Sequence, residues 1–88
     1  MSDNSDDRGV DVELIAAEIE TLRDAARRYA RDVVDGADPT GSGLDLERAA
    51  LRYARKLDDA RRKASEVDYV AIVEEAERQA RRRDDEAN

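Results

Sequence analysis

The sequence predicts an all-α fold, a helical hairpin with a possible third C-terminal helix that assembles into an antiparallel helical bundle. Three observations predict this fold. Apolar residues alternate at spacings of three and four along two long stretches, and a single cluster of Gly and Pro separates those stretches. The remainder is rich in Ala, Arg, Glu and Leu, which are strong helix formers.

The first helix is predicted over residues 11–35, after an acidic tail at 1–10 that we expect to be disordered. Asp11 is suited to cap this helix, and Gly36 is suited to the left-handed conformation that ends one. Its apolar residues form a narrow stripe, the α1 seam: Val12, Ile15, Ile19, Leu22, Ala26, Tyr29 and Val33. Such a stripe is typical of a helix that packs against another helix.

A linker is predicted at residues 36–43, because three Gly and one Pro in this segment disfavour a helix. A second helix is predicted over 44–64, and Ser42 or Gly43 would open it. Its apolar stripe, the α2 seam, consists of Leu46, Ala50, Tyr53, Leu57, Ala60 and Ala64. Residues 22–31 and 46–55, at an offset of 24, are identical at seven of their ten positions. This similarity indicates either a duplicated helix or repeated use of common helix formers.

The C-terminal part is predicted to be either a third helix over 66–83 or a continuation of the second. The α2 seam continues to Ala71 and then meets Glu74, and the apolar residues beyond it define a rotated face. Ser65 can cap a new helix. A kink or break is favoured, because helices much longer than about 25 residues usually belong to coiled coils. Residues 84–88 are expected to be a disordered tail.

The composition excludes most enzyme templates. The chain has no His and no Cys, which removes zinc sites, disulfides, thiol nucleophiles and imidazole catalysis. A buried metal site of a helical bundle would lie on the apolar seams, and the carboxylates lie elsewhere on the helices. We therefore expect no catalytic activity, no cofactor, no metal and no small-molecule substrate. No apolar run approaches the roughly 20 residues of a membrane span, and the polar, acidic start is unlike a secretory signal, so a cytoplasmic location is expected.

The small number of bulky apolar residues predicts an interaction protein. Leu, Ile, Val and Phe account for 16 of 88 residues, too few for a large private core. We expect a homo-oligomer, with a dimer favoured, or a larger protein partner; a chain that folds only on its partner is a further alternative. The function predicted is a non-catalytic adaptor, accessory subunit or small regulator. Its predicted interface residues are Val12, Ile15, Ile19, Leu22, Tyr29, Val33, Leu46, Tyr53 and Leu57.

An alternative function follows from the distribution of charge. The net charge is −7, yet residues 44–64 carry a net +3 between acidic neighbours. A face of Arg and Lys can neutralise phosphates, so the alternative is a small, antitoxin-like acidic regulator that contacts nucleic acid. A sequence pI near 4.6 disfavours it. The candidate nucleic-acid or acidic-partner face consists of Arg48, Arg52, Arg55, Arg61, Arg62 and Lys63.

The second predicted helix also resembles part of a known family. The residues concerned are Leu44, Leu46, Glu47, Ala49, Tyr53, Arg55, Ala60, Arg61 and Arg62. Their spacing loosely resembles the second helix of exonuclease seven small subunits, over 19 of the 88 residues. The resemblance implies a small helical hairpin that serves a large catalytic chain. The sequence departs from the family at Lys56, where a Gly is usual, and in its longer linker.

Overall fold

The computed structural model of the protein describes residues 11–87 and consists of three α-helices. They are α1 (Val12–Asp35), α2 (Thr40–Lys63) and α3 (Glu66–Ala87). No strand occurs within these residues, which confirms the all-α prediction. The acidic tail predicted at 1–10 lies outside the described residues. Helix α1 packs against both other helices, whereas α2 and α3 contact each other only sparsely.

Both ends of α1 form as the sequence predicts. The Asp11 carboxylate accepts a hydrogen bond from the backbone N–H of Glu13 at 2.9 Å, which satisfies one of the free donors of the first turn. At the other end Gly36 has a φ of 76°, and the N–H of Ala37 donates to the carbonyl of Asp32 at 2.9 Å. The left-handed residue is therefore a Gly, the residue type that adopts this conformation without strain.

The linker is shorter than predicted. The sequence predicts a linker over 36–43 and a helix over 44–64, whereas α2 begins at Thr40 and ends at Lys63. The Asp38 carboxylate accepts hydrogen bonds from the Thr40 backbone N–H at 3.1 Å and from the Thr40 hydroxyl at 2.7 Å. These bonds hold the first turn and offset the low helix propensity of Gly41 and Gly43.

Small residues let α2 lie close to α1. A Cβ on Gly43 would come within 3.3 Å of Cε1 of Tyr29, so the aromatic ring of α1 lies over the glycine. Further along, Ala25 of α1 and Ala49 of α2 are both buried. The Ser42 hydroxyl also donates to the Asp32 carboxylate at 2.6 Å, which ties the two helices together near the turn.

Of the two alternatives for the C-terminal part, the structure has the separate third helix, with a break between α2 and α3. Ala64 is extended, with φ −125° and ψ 157°. The Ser65 hydroxyl accepts a hydrogen bond from the Asp68 N–H at 3.2 Å, and the Ser65 carbonyl accepts one from the Tyr69 N–H at 2.8 Å. Ser65 thus caps α3 in the way its position predicts.

Helix α3 is longer than predicted, because it continues to Ala87 through the residues expected to form a tail. Two side-chain contacts join its last turns to α1. Arg83 donates a hydrogen bond to Glu20 at 2.9 Å, and Arg27 donates one to Asp84 at 3.2 Å. The bond from Arg27 lowers the pKa of the Asp84 carboxyl. Since the end of α2 lies beside the start of α1, and α3 begins there and reaches Arg27 with its last turns, α3 runs alongside α1 in the same direction.

The core is small and made mostly of alanine. Eight side chains are buried among the described residues, and six of them are Ala. Ile15 and Ile19 are the large ones, and they cluster with Ala60 of α2 and with Ala76 and Ala80 of α3. A core of this composition buries little apolar area, so we expect modest stability for the isolated chain.

A pair of glycines offers a stability prediction that isolates backbone conformation. A Cβ would meet nothing within 4 Å at either Gly36 or Gly41. Gly36→Ala should destabilise the fold by about 1 kcal/mol, because a left-handed φ strains any residue with a Cβ. Gly41→Ala should stabilise it by about 0.5 kcal/mol, because Ala loses less entropy in a helix. Urea unfolding followed by circular dichroism measures both; changes of the same sign would contradict this explanation.

Candidate interaction surface

The two seams are only partly covered within one chain. In α1 the first half is buried, with Ile15 exposed by 2% and Ile19 by 9%, whereas Tyr29 and Val33 in the second half are exposed by 37% and 51%. In α2 the first half of the seam is the exposed half, since Ala50 is exposed and Ala60, nearer the end of the helix, is buried. Since the two helices are antiparallel, both uncovered halves lie at the same end of the hairpin, next to its turn.

The length and position of α3 explain this difference. Its last turns reach the level of Arg27, where Asp84 forms an ion pair at 3.2 Å. Helix α1 continues for eight more residues to Asp35, a distance of about 12 Å at 1.5 Å per residue. Helix α3 therefore covers the seams only near the open end of the hairpin, and the end next to the turn remains open.

The uncovered surface contains a groove, which we call the tip groove. Its volume is about 580 Å³. It lies between the end of α1 and the beginning of α2, and Leu44 on its edge is exposed by 48%. Concave apolar surfaces of this kind are typical of binding sites for helices. The lining residues are Tyr29, Pro39, Thr40, Gly43, Leu44, Leu46, Glu47 and Ala50.

The sequence around the tip groove is strongly acidic. Residues 32–47 contain five carboxylates and no Lys or Arg: Asp32, Asp35, Asp38, Asp45 and Glu47. Hydrogen bonds from Thr40 lower the pKa of Asp38, so this carboxyl is ionised well below neutral pH. The groove therefore presents an apolar floor within a negative potential, which favours a positively charged partner.

The structure divides the predicted interface residues into two sets. Most of them belong to or pack on the core of the single chain, so they do not form a free surface: Val12, Ile15, Ile19, Tyr53 and Leu57. Tyr29 and Val33 are exposed, while Leu22 and Leu46 are half-buried. Leu44 is exposed but is not among the predicted interface residues, because it lies outside the α2 seam. The sequence feature that could have identified it is its spacing of seven residues from Leu51, which places both on one side of α2; Leu51 is also half exposed.

The six predicted basic residues do not form a single face. Three of them pair with carboxylates: Arg52 with Glu18 at 3.5 Å, Arg62 with Asp58 at 2.9 Å and Lys63 with Asp59 at 3.1 Å. Arg61 lies nine residues after Arg52, which places it on the opposite side of the helix. Arg48, Arg55 and Arg61 form no ion pair among the described residues. This arrangement leaves a short positive patch at Arg48 and Arg55.

A second groove runs between α2 and α3, which contact each other sparsely. Its volume is about 390 Å³, and Ile19, Tyr53 and Glu77 contribute to its walls. Burial raises the pKa of the Tyr53 phenol, and the nearby Glu77 carboxylate adds to that rise. Residues 11–87 contain no group of three or more acidic side chains placed to hold a metal ion, and none of their polar side-chain atoms is buried without a hydrogen bond.

Comparisons with protein-family models, with curated proteins and with solved structures gave no match. The resemblance of residues 44–62 to exonuclease seven small subunits is therefore not accompanied by a match to that family. Among the described residues, no helix combines the length and the apolar character needed to cross a membrane.

Proposed function

We propose that the protein is a non-catalytic interaction module whose tip groove binds an amphipathic helix with basic flanks from a larger protein partner. The observation that carries the proposal is the uncovered end of the seams. Tyr29, Val33 and Leu44 are exposed there by 37–51%, beside a groove of about 580 Å³. The role is that of an adaptor, accessory subunit or small regulator, and a cytoplasmic location is part of the proposal.

The apolar part of the surface supports a helical partner. In helix-in-groove recognition, residues at i, i+3, i+4 and i+7 of one helix fill an apolar channel between two others. The tip groove is an open apolar surface on which such a helix can lie, lined by Tyr29 of α1 and by Leu44, Leu46 and Ala50 of α2. Tyr29 is the large aromatic residue in it, the type that most often anchors an interface. A partner helix would continue the packing that α3 provides nearer the open end of the hairpin.

The charge of the surface supports basic flanks on that helix. Residues 32–47 carry five acidic residues and no basic ones. Complementary charge at the rim of an interface accelerates association and excludes partners of the wrong sign. A second copy of this chain is disfavoured at the groove because it would bring two acidic tips together.

Two synthetic peptides test the proposal. Both have about 20 residues and the same leucine stripe, but one has Lys and Arg on its flanks and the other has Glu. We expect the basic peptide to bind at least about tenfold more tightly, as measured by fluorescence anisotropy. The double variant Val33→Glu and Leu44→Glu should weaken binding of the basic peptide by a factor of about ten or more. Leu44 lines the tip groove and Val33 is exposed one turn after Tyr29, so the variant places charges on the apolar surface that the peptide would cover.

A matched variant controls for the added charge. Val67 and Val70 of α3 are exposed by 79% and 50% and lie away from the tip, so Val67→Glu with Val70→Glu adds the same two charges elsewhere. This control should bind the basic peptide as the unmodified protein does. Equal binding of both peptides, or equal weakening by both double variants, would refute the tip groove as the binding site.

Contact with nucleic acid is a second candidate function, favoured by Arg48 and Arg55, which form no ion pair within residues 11–87. It has less support, because three of the six predicted bases already pair with carboxylates and the chain has a net charge of −7. A DNA duplex takes the place of the peptide in the same titration. Binding at low salt that weakens steeply as salt is added, and that persists in the Val33 and Leu44 variant, would favour this function instead.

A further inference from the structure

Helix α3 follows α2 after only two residues, yet it packs mainly on α1. It contacts α1 extensively and α2, from which it is separated only by Ala64 and Ser65, sparsely. The buried side chains of α3, Ala76 and Ala80, share a cluster with three residues of α1 and with Ala60 of α2. Its two long-range hydrogen bonds, from Arg83 and to Asp84, also reach α1.

The break between α2 and α3 contains no residue that requires it. The turn between α1 and α2 has Gly36 with a positive φ and Pro39, so its chain reversal is built into the backbone. Ala64 and Ser65 are both compatible with a helix, and Ala has the highest helix propensity. The Ser65 cap on the Asp68 N–H, at 3.2 Å, favours the break locally.

We propose that two copies of this chain can exchange their α3 helices. In this arrangement α2 and α3 straighten into one helix over residues 40–87, and each α3 packs on the α1 of the other copy. Nearly all contacts of α3 are retained, because the other copy supplies the same α1 surface on which α3 packs within one chain, and the contacts to α2 are few. The inference does not depend on the proposed function, since the tip grooves stay uncovered in the exchanged dimer.

The directions of the helices are consistent with this exchange. Within one chain α1 and α3 are parallel, and both are antiparallel to α2. If α3 continues in the direction of α2, the α1 it packs on must belong to a copy that points the opposite way. Two copies related by a twofold axis satisfy this condition for both chains at once. The result is an antiparallel helical dimer that presents one tip groove at each end.

Two variants at the break test the exchange in opposite directions. Ser65→Ala removes the cap, which stabilises the broken conformation of each single chain by about a factor of five. The exchanged dimer contains two chains without this cap, so the dimerisation constant of the variant should rise about 25-fold. Glu66→Pro should lower it by more than about 100-fold, because Pro suits the first residue of α3 and disrupts the interior of a continuous helix. Light scattering on a sizing column over a range of concentrations measures the mass, and circular dichroism confirms that each variant is helical.

A crosslink distinguishes exchange from other dimers. The chain has no Cys, so Glu20→Cys with Arg83→Cys introduces a unique pair at two side chains that are hydrogen-bonded at 2.9 Å. A short bismaleimide should join two chains covalently in the dimer fraction and act within one chain in the monomer fraction. X-ray scattering gives a second measure, because the straightened helix is about 72 Å long and the single chain spans 50 Å.

The outcomes are decisive in either direction. A dimer that increases in Ser65→Ala, disappears in Glu66→Pro and crosslinks between chains supports the exchange. A dimer that crosslinks only within chains, or a mass that is unaffected by both variants, overturns it. Val33→Glu with Leu44→Glu should leave the dimer unchanged, so a failure of the tip groove as a binding site and a failure of the exchange are distinguishable.

Discussion

Ile15→Ala is expected to cost about 3 kcal/mol of folding free energy, enough to unfold much of the protein at 37 °C. Ile15 is exposed by only 2%, and it is one of two large side chains in a core that otherwise consists of Ala. The loss combines the burial of three carbons with a cavity that neighbouring alanines are too short to fill. Small domains have little stability in reserve, so a loss of this size is a large share of the total.

Urea unfolding followed by circular dichroism gives the loss directly. Val67→Ala is the matched control, because Val67 is exposed by 79% and its truncation should change the stability by less than about 0.5 kcal/mol. If Ile15→Ala were as mild as the control, the core described above would not be the structure that stabilises the chain. A concentration-dependent midpoint would show that folding is coupled to assembly.

The helices were predictable because their signals are local. Alternating spacings of three and four define which side of a helix is apolar, and Asp11, Gly36 and Ser65 mark where helices begin and end. The start of α2 was not predictable from composition, because Gly41 and Gly43 resemble a linker. The decisive contribution comes from Asp38, whose carboxylate accepts two hydrogen bonds from Thr40 at the first turn.

The division of the seams was not predictable, because periodicity shows which residues are apolar and not what covers them. Ile19 and Val33 occupy equivalent seam positions, yet the first is buried and the second is half exposed. The difference depends on how far α3 extends along α1, and its last turn reaches the level of Arg27, which contacts Asp84 from 57 positions away in the sequence. A contact between residues so far apart is not visible in local periodicity.

The acidic residues around the tip groove could have been recognised from the sequence, but net charges summed over each predicted element conceal them. Residues 32–47 contain five acids and no bases, but they straddle the end of one helix, the linker and the start of the next. Summing charge by predicted element divides them among three segments. The fold brings them together because the turn at Gly36 reverses the chain.

Ala80→Leu is the second change with a large expected effect, and it should release α3 without unfolding the hairpin. Ala80 has no exposed surface and belongs to the cluster that contains Ile15 and Ile19 of α1. A larger side chain needs space that close-packed helices do not have, and overpacking of this kind costs about 1–3 kcal/mol.

The cost should fall on α3 because Ala76 is its other buried side chain in the cluster with α1, and Tyr69 and Ile72 are only partly buried there. Its side-chain bonds to α1, from Arg83 and to Asp84, are at the surface, where ion pairs contribute little. Hydrogen exchange should therefore accelerate throughout α3 and much less in α2. Ala71→Leu is the matched control, because Ala71 is exposed on the same helix and its enlargement should leave exchange unchanged. Uniform acceleration in all three helices would show instead that the three fold as one cooperative unit and that α3 is not a separable cover for the α1 seam.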